Sequence, residues 1–429
     1  MEESMNEIES VIQRIEEYRS ETEALLKALV EIDTVVPPGN NYAKIAGIVE
    51  KYLKDMGCEV TVFNPPEKYL LQSGADRFDP PLSGPRPNVI GTYGSEEGET
   101  ILFNGHLDIV PIGAGWTKDP YGELVGETFY GRGSGDNKGG VVAMIMAVKG
   151  LIDAGLMPKG KVILTATVDE EIGGIAGLGA VIEEGVVRAD YGVSCDGDQE
   201  SIGISNQGRF KGRIITEGLA VHSSRAQDGI NAIETMSKIV LAIQEHGREL
   251  RSRSTDIPAP PSTGRDYIYP TTNVGTIKGG LKENIVPDYC AITFNRRVTP
   301  GETLESAREE FLGVVERAVS GDPSAKWKYE EMNTRQPSYT PPDHPYVARF
   351  QAVTEKTLNR KMPVFGGLGG NDVCFMRNIL NIPAVQLGAA RNGSKAHGTD
   401  EHINIGDLLD ASKVYAAFII DLLGVTSQR

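Results

Sequence analysis

Cysteine is scarce: Cys58, Cys195, Cys290 and Cys374 are the only four, widely separated and without a CxxC pair. That argues against a disulfide scaffold and against a cysteine-ligated zinc cluster, and fits a reducing cytoplasm. Basic residues are in the minority, with 43 Lys and Arg against 59 Asp and Glu and a formal net charge of -16. Such a chain repels phosphate backbones and offers no basic stripe, so no nucleic-acid partner is expected. The longest apolar run, Val141 to Val148, falls far short of the roughly 20 residues of a membrane-spanning helix. The opening MEESMNEIESVIQRIEEYRS is acidic, has apolar residues at helical spacing and lacks the basic and apolar blocks of a signal peptide. A cytoplasmic protein with no membrane partner is the expectation. GxSxG and HExxH are both missing, so neither a serine nucleophile elbow nor a single-zinc helix site is signalled.

What is present is length enough for two domains with sizeable cores. Strand-like runs alternate with helical ones: ETILFNGHLDIV, KGGVVAMIMAVKGLIDAG, GKVILTATVDEE, ADYGVSCDGD, and later IPAVQLG followed by INIGDLLDASKVYAAFIIDLLG. This predicts an α/β fold, a mostly parallel sheet covered by helices, with ligands gathering beyond the carboxyl ends of the strands. Between Gly208 and Glu331 the order changes to β-α-β-β-α with a final strand in AKWKYEEM, which reads as an inserted ferredoxin-like α+β domain. The predicted division is 1–207 with 335–429 for the metal-binding catalytic domain and 208–334 for the insertion. The segments NPPEKYLLQSGADRFDPPLSGPRPN and HGRELRSRSTDIPAPPSTGRDY are read as long surface loops.

Five polar clusters sit at the ends of these runs. In Asn104-Gly105-His106-Leu107-Asp108 the residues two apart share a face, so Asp108 can reach one ring nitrogen of His106 while the other faces a metal. Asp136 lies in a glycine-rich turn where its two oxygens can bridge two cations. A phosphate cradle is the alternative reading of that turn, but neither GxGxxG nor GxxxxGK[ST] is present. In Val168-Asp169-Glu170-Glu171 one glutamate can bind metal while its neighbour handles protons. Cys195-Asp196-Gly197-Asp198 and Ala396-His397-Gly398-Thr399-Asp400-Glu401-His402 complete the set. Two histidines and three carboxylates suit two zinc ions sharing a carboxylate.

Taken together, HLD, GRGxxDxKGG, DEExGG and AHGTDEH resemble, in order and spacing and over essentially the whole chain, the dinuclear zinc hydrolases. That family includes aminoacylase, acetylornithine deacetylase, succinyl-diaminopimelate desuccinylase, glutamate carboxypeptidase and carnosine-type dipeptidases. The resemblance implies a zinc-exopeptidase-like fold with a lid and dimerisation domain, and two Zn2+ per chain, with Co2+ or Mn2+ as alternatives. His106, Asp136 and Asp196 would hold one ion and Asp136, Glu171 and His397 the other. Glu170 would be the general base, Asp108 the orienter of His106, and His222 the lid histidine that polarises the scissile carbonyl in the site of a partner subunit. Asn284, Arg297, Gly369 and Gly370 match substrate-contacting positions, and the Asp136–Asn137 peptide bond is expected to be cis.

The implied activity is hydrolysis of an amide bond in a small N-acyl amino acid with a free carboxylate, by a homodimer paired through the inserted domain. A dipeptidase or aminopeptidase is the alternative, favoured by Asp196 where the family's deacylases carry Glu. Asn137 and Asn295 depart from the usual Met and Asp, and are expected to bear on substrate rather than on the metals. A non-catalytic metal-binding scaffold would be missing a ligand or the base, and none is missing.

Overall fold

The computed structural model describes residues 2–75 and 78–427. In chain order it begins with helices α1 (Glu2–Glu17), α2 (Arg19–Val30) and α3 (Tyr42–Asp55) and strands β1 (Glu59–Phe63), β2 (Asn88–Gly94) and β3 (Thr100–His106). Helix α4 (Gly139–Asp153) and strands β4 (Lys161–Thr167), β5 (Tyr191–Ser194) and β6 (Ile202–Gly203) follow. Next come β7 (Gly208–Glu217), α5 (Ala232–Arg251), β8 (Thr271–Gly279), β9 (Tyr289–Val298), α6 (Leu304–Val319) and β10 (Lys326–Arg335). The chain closes with α7 (Pro345–Leu358), β11 (Val364–Phe365), β12 (Ala384–Gln386) and α8 (Ile405–Leu423). Among the described residues no helix is long and apolar enough to cross a membrane.

Two compact units emerge. The first runs to Ile204 and takes in Thr340–Phe365 and the chain from Asn371 onward; the second is Ser205–Tyr339 with Gly366–Gly370. That short return joins the second unit through backbone hydrogen bonds, Gly366 N–H to Pro258, Gly367 N–H to Ser205, and Gln207 N–H to Gly369.

The first unit is built on an eight-stranded sheet of order β1-β2-β4-β3-β5-β12-β6-β11. Its centre, β4-β3-β5-β12, is parallel, while β1, β2 and the β12–β6 pair add antiparallel neighbours. Because β3 and β4 are buried along nearly their whole length, they read as continuous apolar runs rather than alternating ones. Helix α4 is likewise apolar on almost every face, because it packs on β3 and against α8. Its start lies very close to the strand ends. A Cβ on Gly105 would sit 2.7 Å from Asn137 Oδ1, and one on Gly140 would sit 2.5 Å from the Cys195 carbonyl oxygen.

The second unit has the order β8-β9-β7-β10, all antiparallel, the ferredoxin-like arrangement expected from its β-α-β-β-α-β order. Alternation along β7 and β9 turns Phe210, Ile214, Ile292 and Phe294 into one core with Met236, Ile239 and Ile243 of α5 and Phe311 and Val315 of α6. Phe311 stacks on Phe294 with centroids 4.2 Å apart and meets Phe210 edge-on at 5.8 Å.

Both segments expected to be surface loops differ in part. The first contains a short helix, Glu67–Gln72, with Tyr69 buried, and ends at a fully buried Arg86. The second begins inside α5, whose buried Ile239, Ile243, His246 and Leu250 carry the helix on to Arg251, and it also buries Ile257 and Ala259. Pro, Gly and charge mark irregular backbone, but they do not show whether that backbone is covered.

Emptying the densest contact of the second core gives the first prediction. Phe311→Ala is expected to destabilise that unit by about 3–5 kcal/mol. Trp327, which packs on this core, reports the change as a lowered denaturant midpoint in a Trp116→Phe background; an unmoved midpoint would contradict it.

Candidate metal centre

Parallel pairing decides which side chains meet. His106 closes β3 opposite Thr167 at the end of β4, and Asn104 pairs with Ser194 at the end of β5. The residues just beyond those ends, His106 to Asp108, Val168 to Glu171, and Cys195 and Asp196, therefore share one edge of the sheet. Asp136 arrives from the turn that precedes α4, with its peptide bond to Asn137 cis.

Asp136 presents one carboxylate oxygen to each histidine: Oδ1 lies 3.1 Å from His106 Nε2 and Oδ2 lies 3.1 Å from His397 Nε2. Glu171 Oε1 is also 3.1 Å from His397 Nε2. His106, Asp136 and Glu171 each offer an atom within 4.8 Å of the others'. Asp196 is electrostatically coupled to Asp136, His106, Glu170 and Glu171.

These groups place more negative charge in a buried space than they can carry. Burial, reinforced by the Asp136 charge, pushes the Glu171 carboxyl up to about 7 against the His397 contact that lowers it. Burial and the Asp136 charge take Asp196 to about 8. Contacts with Asp136 and Glu171 raise His397 to about 10. Burial disfavours charge on His106, yet Asp108 and Asp136 hold its pKa well above the ordinary value. The ring nitrogens and carboxylate oxygens converge on one space. Mixed nitrogen and oxygen donors around a doubly used carboxylate, with anionic charge in excess, fit a pair of divalent ions.

Asp108 meets His106 and also braces the neighbouring strand end. The ring contact of His106 Nδ1 is to the Asp108 backbone carbonyl at 3.1 Å, with the carboxylate at 3.5 Å. Its two carboxylate oxygens also accept the backbone N–H groups of Glu170 at 3.2 Å and Glu171 at 3.0 Å, so Asp108 ties the two strand ends together. Asn137, expected to bear on substrate, is buried and committed to the scaffold: its amide donates to the Cys195 carbonyl at 2.8 Å and accepts from His106 N–H at 3.3 Å.

Several supporting residues were not singled out by sequence reasoning. Asp169, in the left-handed region at φ 65° just before buried Glu170, accepts from Arg86 Nε and from the Tyr42 hydroxyl, both at 2.8 Å. Burial raises Asp169 to about 6 against the pull of Arg86. Arg132 and Glu401 form a second buried pair. Both lay inside recognised motifs, but only tertiary burial distinguishes them from solvated charges.

The remaining candidates belong to the second unit. His222 is exposed, and its Nδ1 accepts the Ser224 N–H at 3.2 Å, an arrangement that leaves the proton on Nε2. Asn284 is next to it, its carbonyl accepting from Ser223 N–H at 3.0 Å, and its side-chain oxygen is buried without a hydrogen-bond partner among the described residues. Arg297 stands in a cross-strand row, opposite Arg209, which in turn stands opposite Arg335. Lys211 lies on the same face one step along, paired with Asn295 and Asn333. Like charges directly opposite one another are unfavourable. Burial and then its cationic neighbours lower the pKa of Lys211, and burial and Arg335 lower that of Arg297. Gly370 adjoins Arg335, while the Gly369 carbonyl accepts from Gln207 N–H.

Comparison with known proteins identifies the family. Residues 102–421 match the family described as peptidase family M20/M25/M40. An N-formyl-4-amino-5-aminomethyl-2-methylpyrimidine deformylase of Bacillus subtilis (strain 168) is 25% identical over an alignment of 448 residues, covering 96% of this chain and 97% of that one. Succinyl-diaminopimelate desuccinylase 2 of Ruegeria sp. (strain TM1040) is 28% identical over 361 residues, covering 79% and 84%. The crystal structure of human carnosine dipeptidase 1 superposes with a TM-score of 0.69 at 20% identity, covering 96% and 99%, a likeness of fold. The chain thus belongs to peptidase family M20/M25/M40 and is a hydrolytic enzyme.

Proposed function

We propose that the protein hydrolyses the amide bond of a small N-acyl amino acid bearing a free carboxylate, and that residues 1–207 and 335–429 form its catalytic part and 208–334 its lid and dimerisation part. The observation that carries the chemistry is Asp136, facing His106 with one oxygen and His397 with the other beside Glu170 and Glu171. In this reading His106, Asp136 and Asp196 hold one divalent ion, and Asp136, Glu171 and His397 hold the second, zinc being the expected metal. Such ions acidify water and polarise an amide carbonyl. Glu170 accepts the proton of the attacking water and returns it to the leaving amine. His222, with its proton on Nε2, donates to the oxyanion that develops on the carbonyl.

Recognition of the carboxylate falls to Arg297, with Asn284 and the Gly369–Gly370 backbone lining the same substrate. The row that places Arg297 opposite Arg209 and Arg335, with Lys211 beside it, supports an anionic substrate because it gathers positive charge on one sheet face of a chain whose net charge is -16. Pairing of two chains through the inserted unit is supported by Leu241, Ile277 and Leu281, which are 65%, 58% and 90% exposed there. The four cysteines are buried and none is in a disulfide among the described residues, which supports a cytoplasmic setting.

A panel of N-formyl, N-acetyl and N-succinyl amino acids and dipeptides, each as free acid and as methyl ester, tests the substrate class. Arg297→Ala is expected to raise KM for the acids by about tenfold or more, the value of a charge-assisted hydrogen bond, while leaving the esters unchanged. Equal effects on both would refute carboxylate recognition.

The neighbouring glutamates separate by metal content. Glu170→Gln should keep its metal and fold while turnover drops by about two to four orders of magnitude, and Glu171→Gln should lose metal. Elemental analysis beside kinetics distinguishes them, and the reverse pattern would exchange their roles.

Subunit sharing has its own signature. His222→Ala and Glu170→Gln are each expected to be nearly inactive, whereas a purified mixed dimer of the two rebuilds one of its two sites and recovers about half of wild-type activity. An inactive mixed dimer would place the histidine's action within its own chain.

A further inference from the structure

The buried pair Arg132–Glu401 lies between the two loops that carry Asp136 and His397. Arg132 is 2% exposed and Glu401 not at all. The guanidinium Nη1 contacts Glu401 Oε2. The other carboxylate oxygen, Oε1, accepts three backbone N–H groups from the Asp136 loop: Gly133 at 3.0 Å, Gly135 at 3.1 Å and Asp136 itself at 3.1 Å. In the other direction Arg132 Nη2 donates to the carbonyl of Gly398, the residue after His397, at 3.0 Å. Gly131 N–H adds a bond to the Glu401 carbonyl at 2.9 Å. One side chain from each loop therefore holds the backbone of the other.

Stability alone does not account for this arrangement. A buried ion pair is often matched or bettered by apolar side chains of similar volume, and what an apolar pair cannot do is gather three N–H groups onto a single oxygen. The loop being held also has reason to drift. Lys395, His397 and Asp400 are non-glycine residues at φ 56°, 63° and 57°, conformations that persist where surroundings enforce them. His397 itself is half-exposed. Its loop is fastened on one side by Asp400, which accepts from Thr117 N–H at 2.7 Å and Lys118 N–H at 3.2 Å, and on the other by Glu401. His106 and Asp196, in contrast, are set by strand ends, and Glu171 is held through its N–H by Asp108.

We infer that Arg132 and Glu401 are positioning residues that fix the separation of Asp136 from His397, and thereby set the affinity of the second ion position, shared by Asp136, Glu171 and His397, in preference to the first. This rests on the two-ion reading above. Partners of this kind, hydrogen-bonded behind metal ligands, typically change metal affinity by about 10- to 100-fold when lost.

The experiment is a titration of metal-free protein with zinc against a chelating indicator, resolving two binding steps, beside thermal unfolding of the metal-free form. Glu401→Gln is expected to weaken binding at the position shared with His397 by about 10- to 100-fold and binding at the position shared with His106 markedly less. Because it also strands a buried guanidinium, the double variant Arg132→Met/Glu401→Gln is measured with it: removing both charges is expected to restore the melting temperature but not the second binding step. Restoration of both by the double variant, or equal weakening of both steps, would reduce the pair to a structural role and overturn the inference. A wild-type protein that binds fewer than two ions would overturn the two-ion reading itself, and this inference with it.

Discussion

Carboxylates crowded into a buried space are the constraint around which the first unit is organised. At an effective dielectric near 20, two like charges 4 Å apart repel by about 4 kcal/mol, and a whole domain is stable by only about 5–15 kcal/mol. Burial first, and then the charge of Asp136, displaces the carboxyls of Glu171 and Asp196 toward neutral pH, so the three carboxylates are ionised together only where positive charge lies among them. The sheet makes this crowding unavoidable, since the parallel register of β3, β4 and β5 delivers their carboxyl ends to one edge.

Holding such a cluster in place requires rigid backbone nearby, and the structure supplies it with charges that are themselves satisfied. Asp108 receives the N–H groups of both glutamates, Asp169 is braced by Arg86 and Tyr42, and Glu401 is braced by Arg132 and three backbone N–H groups. Each is a buried carboxylate accepting several hydrogen bonds, the condition under which burial of charge is tolerable. The second unit handles charge in the opposite sense. Its helix-covered face is apolar, while Arg209, Arg297, Arg335 and Lys211 line up by cross-strand register on the other.

The ferredoxin-like unit illustrates how local patterns carry fold. Period-two alternation in β7 and β9 and the apolar spacing of α6 dictate which faces pack. Helix α5 runs into the segment read as a loop because His246, a polar residue by type, occupies a core position of the helical repeat. The Pro- and Gly-rich stretch ending in PRPN likewise hid a buried arginine.

The α/β fold, the inserted unit and the clusters around His106, Asp136, Glu170 and Glu171, Asp196 and His397 were legible in the sequence, because strand-end motifs are local and their spacing survives in one dimension. Only the tertiary structure decided which carboxylate oxygen faces which histidine, that Asp108 holds the glutamate turn through its backbone, and that Arg86, Arg132 and Glu401 are buried. A charged residue reads the same in a sequence whether water or a partner more than 200 positions away neutralises it, as Glu401 does for Arg132. Desolvation and pairing are properties of the packed chain.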